Sequence, residues 1–127
     1  MPVIMRTSFW KMVDFDARLV DSPQELEELF APMVEAGVDL FDCSQRRFWE
    51  PAFEGSDLNL AGWVKQVTGV PTCTIGSIGL DSDFFTNLAE GKQSEIETGK
   101  LDELMRRFNR GDFDLVAVGR AMIAEPD

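Results

Sequence analysis

Short apolar runs alternate with stretches of helical spacing along this chain. Pro2-Val3-Ile4-Met5-Arg6-Thr7-Ser8 is apolar, partly β-branched and ends in polar residues, so it reads as a strand. The polar, mixed stretch from Lys11 to Asp21 carries no clear pattern. Ser22-Pro23-Gln24-Glu25 is a capping box with Pro at the first helical position. In it, Ser22 accepts from the third helical amide while Glu25 reaches back. Leu26, Leu29, Phe30, Met33 and Val34 then follow i, i+3, i+4, i+7, i+8 spacing, one apolar stripe on a helix. Glu25, Glu27 and Glu28 sit near the positive helix end, and Gly37 is the natural stop.

Val38 to Asp42 predicts a second strand. After it comes a long irregular stretch, Cys43 to Asp57, with three aromatics and two adjacent arginines. Such a loop in a compact unit is functional or disordered, and its aromatic content speaks against disorder. Asp57 is placed to cap a helix carrying Leu60, Ala61, Val64 and Val67 on one face, stopped by Gly69. Pro71 to Ile75 predicts a third strand running into Gly76-Ser77-Ile78-Gly79. A short helix is expected around Asp83 to Glu90. Leu101, Leu104, Met105 and Phe108 mark another amphipathic helix, stopped near Gly111. Phe113 to Val118 predicts the fourth strand, ending in Gly119-Arg120.

The order is β-α-β-α-β-α-β, with strands starting near 3, 38, 72 and 113, a repeat of 35, 34 and 41 residues. That alternation predicts parallel strands joined by right-handed helical crossovers. A (β/α)8 barrel has about 250 residues. Four units in 127 residues therefore predict the C-terminal half of a TIM barrel, strands five to eight. On this reading residues 1–127 form one partial barrel domain, a fragment without its final helix. A small, open, doubly wound sheet is the alternative.

Composition narrows the function. A hydrophobic share of 44% is too high for a disordered tail. No apolar run approaches the roughly 18 residues of a membrane span. Met1 to Trp10 carries no cleavable signal, so the expected compartment is the cytoplasm. Acids outnumber bases by 23 to 12, for a net charge of −11, which argues against a nucleic-acid partner. There is no His and no Tyr. The commonest general acid–base, the commonest metal ligand and any phenol donor are therefore missing. Cys43 and Cys73 alone cannot make a structural zinc site, and they read as reduced buried thiols. No metal site and no catalytic residue is assigned.

Interest concentrates at strand ends, where parallel α/β folds gather ligands: Arg6, Gly76-Ser77 and Gly119-Arg120. Glycine lets the backbone approach a ligand, exposed amides hold phosphate, and Arg120 offers a donor fork. Each glycine alone equally suits a turn or close packing. Arg6 equally suits an ion pair with a carboxylate such as Asp42. Arg46 and Arg47 suit a substrate entrance, or a loop pinned by aromatics with its arginines paired to Glu50 or Glu54.

Several stretches together resemble the Old Yellow Enzyme family of FMN-dependent NAD(P)H:flavin oxidoreductases. They are Arg6-Thr7-Ser8, Ala36-Gly37-Val38-Asp39, Ser44-Gln45-Arg46-Arg47-Phe48-Trp49, Pro71 through Gly79, and Phe113 through Arg120 with Glu125-Pro126-Asp127. The closing Gly-Arg followed by Pro-Asp is the most specific part. The resemblance implies a (β/α)8 barrel holding FMN at the carboxyl ends of its strands. Flavin is reduced by NADH or NADPH and passes hydride to a small-molecule acceptor such as an activated alkene. It implies that Arg6 lies near flavin N1 and the C2 carbonyl, where a guanidinium stabilises the charge of reduced flavin. It also implies that Gly76, Ser77, Gly119 and Arg120 meet the FMN phosphate. The family's substrate-anchoring His pair, or His-Asn, and its proton-donating Tyr have no counterpart here. The chain alone is therefore expected to be inactive, and to form a homodimer or aggregates through exposed half-barrel edges. Two rivals remain: half of another phosphate-binding barrel, such as an isomerase or aldolase, and a non-catalytic self-associating module.

Overall fold

The computed structural model describes residues 1–8, 20–78 and 99–119. Most of the stretch from Lys11 to Asp21, Gly79, the helix expected around Asp83 to Glu90, Arg120 and the closing Glu125-Pro126-Asp127 lie outside the described residues. In chain order the elements are β1 (Ile4–Ser8), α1 (Pro23–Glu35), β2 (Leu40–Ser44), α2 (Leu60–Thr68), β3 (Thr72–Ile75), α3 (Gly99–Arg110) and β4 (Leu115–Val116).

Local chemistry explains the boundaries. Ser22 Oγ accepts from the Glu25 amide at 3.2 Å, as the capping box requires. The reciprocal bond lands one residue earlier than expected, with the Asp21 amide donating to Glu25 Oε2 at 2.9 Å. At the other end Gly37 takes φ +105°. Its amide donates to Val34 O while the Val38 amide donates to Met33 O, which is the Schellman arrangement. Val38 is thus still tied to the helix, so β2 begins at Leu40 rather than Val38. The cap of α2 is Asn59, whose Oδ1 accepts from the Gly62 amide at 2.9 Å. Asp57, expected in that role, sits too early in the chain and pairs with arginines of α3 instead.

All four strands are parallel and lie in the order β1-β2-β3-β4. Among the described strands the order shows no reversal, so this part of the sheet is singly wound, without the switch point of a doubly wound sheet. Right-handed crossovers in such an order bring the connections to one face. Phe41, Cys43, Thr72 and Thr74 line that face. They are buried beneath Leu26 and Phe30 of α1 and Leu60, Ala61 and Val64 of α2. Phe30 meets Phe41 edge to face at 4.9 Å. Phe48, Ala52 and Phe53 from the loop after β2 complete this core.

The opposite face carries Ile4, Arg6, Leu40, Asp42, Ser44, Cys73, Ile75 and Leu115, by strand alternation and register. None of these belongs to the packed core. Ile4 is 65% exposed and Leu115 53%.

Helix α3 departs from expectation. Of its apolar stripe only Leu104 is buried; Leu101, Met105 and Phe108 are exposed, and Arg107 occupies a buried place instead. The cause is what the helix faces. It docks on the outer side of the loop after β2, whose surface there is backbone carbonyl and Asp57 carboxylate.

Candidate functional site

Of the residues singled out in sequence, Arg6 lies in the middle of β1, Arg46 and Arg47 follow β2, Gly76 and Ser77 follow β3, and Gly119 follows β4. Arg6 and Asp42 are register neighbours on the face opposite α1 and α2. Arg6 donates from Nε and from Nη2 to Asp42 Oδ2, each at 2.8 Å. The ion pair offered as the plain alternative for Arg6 is therefore present. The other carboxylate oxygen, Oδ1, is buried with no hydrogen-bond partner among the described residues. That orphan acceptor keeps Asp42 in need of a cation or donor beside it.

Gly76 follows β3 directly, and its lack of a side chain has a visible cause. A Cβ there would stand 2.3 Å from Gln45 O and 3.1 Å from Phe48 N. The Phe48 amide donates to Gly76 O, and the Gln45 amide to Ile75 O. The start of the loop after β2 thus lies flat against the end of β3. Ser77 adopts φ 52°, a left-handed conformation uncommon outside glycine. Its Oγ donates to Arg46 O at 3.0 Å. Gly76 and Ser77 are in this way joined to the segment bearing Arg46 and Arg47. Arg47 pairs with Glu50 at 3.1 Å, as its plain alternative foresaw. Gly119 behaves differently, because a Cβ built on it meets nothing within 4 Å. Close packing against the described residues does not account for glycine there.

Three residues that sequence reasoning passed over hold this rim together. Gln45, almost fully buried, donates from Nε2 to Glu50 O and accepts from the Leu60 amide at Oε1. Asn59, fully buried, adds to its capping bond two donations from Nδ2, to Phe48 O and Thr74 Oγ1, both at 3.0 Å. Arg107, 3% exposed, donates to Asp57 O, Trp49 O and Glu103 Oε1. Asn59 had a readable signal, since it directly precedes the first periodic residue, Leu60. Gln45 and Arg107 had none.

Beside the rim, Asp57 and Glu103 are paired with the arginines of α3. Asp57 is held down to about 2, chiefly by the Arg110 guanidinium and then by Arg106. Glu103 is held at about 2 by Arg106 and Arg107. The two thiols are free and buried. Burial pushes the Cys43 thiol up to about 12, and burial beside Asp42 raises that of Cys73. Neither is a thiolate nucleophile near neutral pH. Among the described residues no group of three or more His, Cys, Asp or Glu side chains is placed to hold a metal ion. No described helix is long and apolar enough to cross a membrane.

Fold and rim together define, among the described residues, a parallel α/β unit with an irregular loop layer at the carboxyl ends of the strands. No protein-family model matches the sequence, and no curated protein is significantly similar to it.

Proposed function

We propose that the chain supplies the fifth to eighth βα units of a (β/α)8 barrel that works as an FMN-dependent NAD(P)H oxidoreductase in the cytoplasm. The observation that carries this reading is the singly wound sheet, helices on one face and Arg6 on the other. In a barrel the helix-free face looks inward, and ligands lie at its carboxyl end. Arg6 then stands inside, held by Asp42, with a fixed positive charge suited to the reduced flavin ring. Gly119 fits a close backbone approach to phosphate, because packing does not demand a glycine there. Gly76 fits less directly, since the space of its missing side chain is filled by Gln45. FMN, when bound, relays hydride from nicotinamide to a small-molecule acceptor such as an activated alkene. The residues of this chain bind and polarise it, and the proton donor and substrate anchors belong to other strands. Without those strands, the edges at β1 and β4 favour self-association of the isolated chain.

The test is the reading frame upstream of Met1 and the protein it encodes. Four further βα units with a His pair and a Tyr are expected. That protein should purify yellow and be bleached by NADH or NADPH without oxygen, and Arg120→Ala should reduce its FMN content. A colourless protein that takes up no added FMN refutes the proposal.

A further inference from the structure

We infer that Asp42 is a positioning residue that sets the Arg6 guanidinium on the sheet face opposite α1 and α2, so that its outer edge is offered to an anionic ligand. The two residues are register partners on β1 and β2. Nε of Arg6 donates to Asp42 Oδ2 at 2.8 Å, and Nη2 stands 2.8 Å from the same oxygen. Asp42 thus grips one edge of the guanidinium with one oxygen, rather than spreading across both. The opposite edge, with both Nη1 hydrogens, has no partner among the described residues. The two side chains are unequal, that of Arg6 being 62% exposed and that of Asp42 18%. The short, sheltered carboxylate is the anchor. The long arginine stem, with its many rotamers, is what it holds.

The pair serves placement more than cohesion. An ion pair with one member so exposed contributes little to stability. Yet Asp42 keeps Oδ1 buried with no hydrogen-bond partner among the described residues, which costs free energy. A small gain beside an unmet acceptor calls for a use, and the use is the held guanidinium. Cys73 lies beside the pair, as the register partner of Asp42 on the same face. Burial and then the Asp42 charge raise its thiol, while the Arg6 charge lowers it, so both charges reach it. The free edge of a planar guanidinium suits an anion whose charge is spread over a flat ring and whose acceptors lie in its plane. That this anion is reduced flavin rests on the proposed function; the hold of Asp42 on Arg6 does not.

Cys73 reports on the pair in the full chain without any cofactor. Its alkylation by iodoacetamide, a neutral reagent, follows the thiolate fraction, and peptide mass spectrometry separates it from Cys43. At about pH 8, Arg6→Met should slow that reaction by about threefold or more, because a nearby cation is lost. Asp42→Asn should speed it, because a neighbouring negative charge goes. The deciding measurement is Arg6→Met made on top of Asp42→Asn. An unanchored guanidinium turns to water, so the slowing should shrink to less than about half of its wild-type size on a logarithmic scale. Asp42→Glu, which keeps an anchoring carboxylate, should preserve more of it. Equal slowing with and without Asp42 overturns the inference, as does no slowing in the wild-type background. Global unfolding of both Asp42 variants overturns it too, by making the pair a structural one. In the flavoprotein expected from the proposed function, Asp42→Asn should weaken binding of reduced FMN by about fivefold or more, as Arg6→Met does; unchanged binding overturns the offer of Arg6 to that anion. A pair that passes the Cys73 test in a protein taking up no flavin sinks the proposed function alone. A pair that fails it in a yellow protein sinks the role of Asp42 alone.

Discussion

Replacing Asn59 by Ala should be among the most damaging single changes in this chain. Asn59 is fully buried and makes three bonds at once. Its Oδ1 caps α2 through the Gly62 amide, and its Nδ2 satisfies Phe48 O and Thr74 Oγ1. Loss of the cap costs about 1 kcal/mol. Leaving the Phe48 carbonyl and the Thr74 hydroxyl unpaired adds about 1–3 kcal/mol each, offset where the hydroxyl rotates to another acceptor. The expected total is about 3–5 kcal/mol, a large part of the ~5–15 kcal/mol that holds a domain together. Asp57→Ala is the matched control. Its side chain is 49% exposed and pairs only on the surface, so its loss should cost less than about 1 kcal/mol. Urea unfolding followed by far-UV circular dichroism and by tryptophan emission measures both. An Asn59→Ala cost below about 1 kcal/mol, or a larger cost for Asp57→Ala, would refute the assignment of cap and tie to Asn59.

Gly76→Ala drives a methyl to 2.3 Å from the Gln45 carbonyl, a backbone atom that cannot swing aside. A loss of about 1–3 kcal/mol or more is expected, against about 0.5 kcal/mol or less for Gly119→Ala, which meets nothing; urea midpoints of the pair decide it. Asp57 and Glu103 both have folded pKa values depressed to about 2 by arginine partners. Their contribution is therefore complete above the ordinary carboxylate range and is lost as pH falls through about 4 toward 2. The stability gap between the wild type and an Arg106→Met/Arg110→Met variant should be flat near neutral pH and close toward pH 2; a gap that widens on acidification contradicts this. Cys43, buried and with its thiol pushed up to about 12, should be alkylated by iodoacetamide only as fast as the chain unfolds. Oxidation of the native protein should not join Cys43 to Cys73, because they point to opposite faces of the sheet. Rapid native labelling of Cys43, or that disulfide, would disprove the register.

The alternation of elements was legible because it rests on local chemistry. Ser22 and Glu25 build a cap within four residues, Gly37 and Gly69 adopt the left-handed stop, and the stripe from Leu26 to Phe30 faces the core. Boundaries were less legible where one residue serves two elements, as Val38 does between α1 and β2. The stripe of α3 misled for a different reason. Spacing shows which residues share a helix face, but not whether the neighbour is apolar or a row of carbonyls. Arg107 won the buried place because the loop presents acceptors, and those acceptors are fifty and more positions away in sequence. The Arg6–Asp42 pair was open to inspection as one of two choices, and parallel register decided it.

Register also orders the face opposite α1 and α2 into layers that no single strand reveals. Ile4 and Leu40 form the layer at the amino ends, both apolar. Arg6, Asp42, Cys73 and Leu115 form the next, where charge first appears. Ser8, Ser44 and Ile75 form the layer at the carboxyl ends, with hydroxyls on two of three strands. On β1 and β2 the face thus passes from apolar to polar along the strand direction, while β3 and β4 keep Cys73, Leu115 and Ile75 there. A sheet buried on both faces reads as nearly continuous apolar runs and has no use for such a gradient. Charge placed in a packed layer would be stranded without water or partner. Asp42 shows the limit of that tolerance. One of its oxygens is bound by Arg6 and the other is buried without a donor. The polar positions of this face therefore lie on β1 and β2 from the middle layer onward, toward the rim that Gln45, Asn59 and Arg107 hold in place.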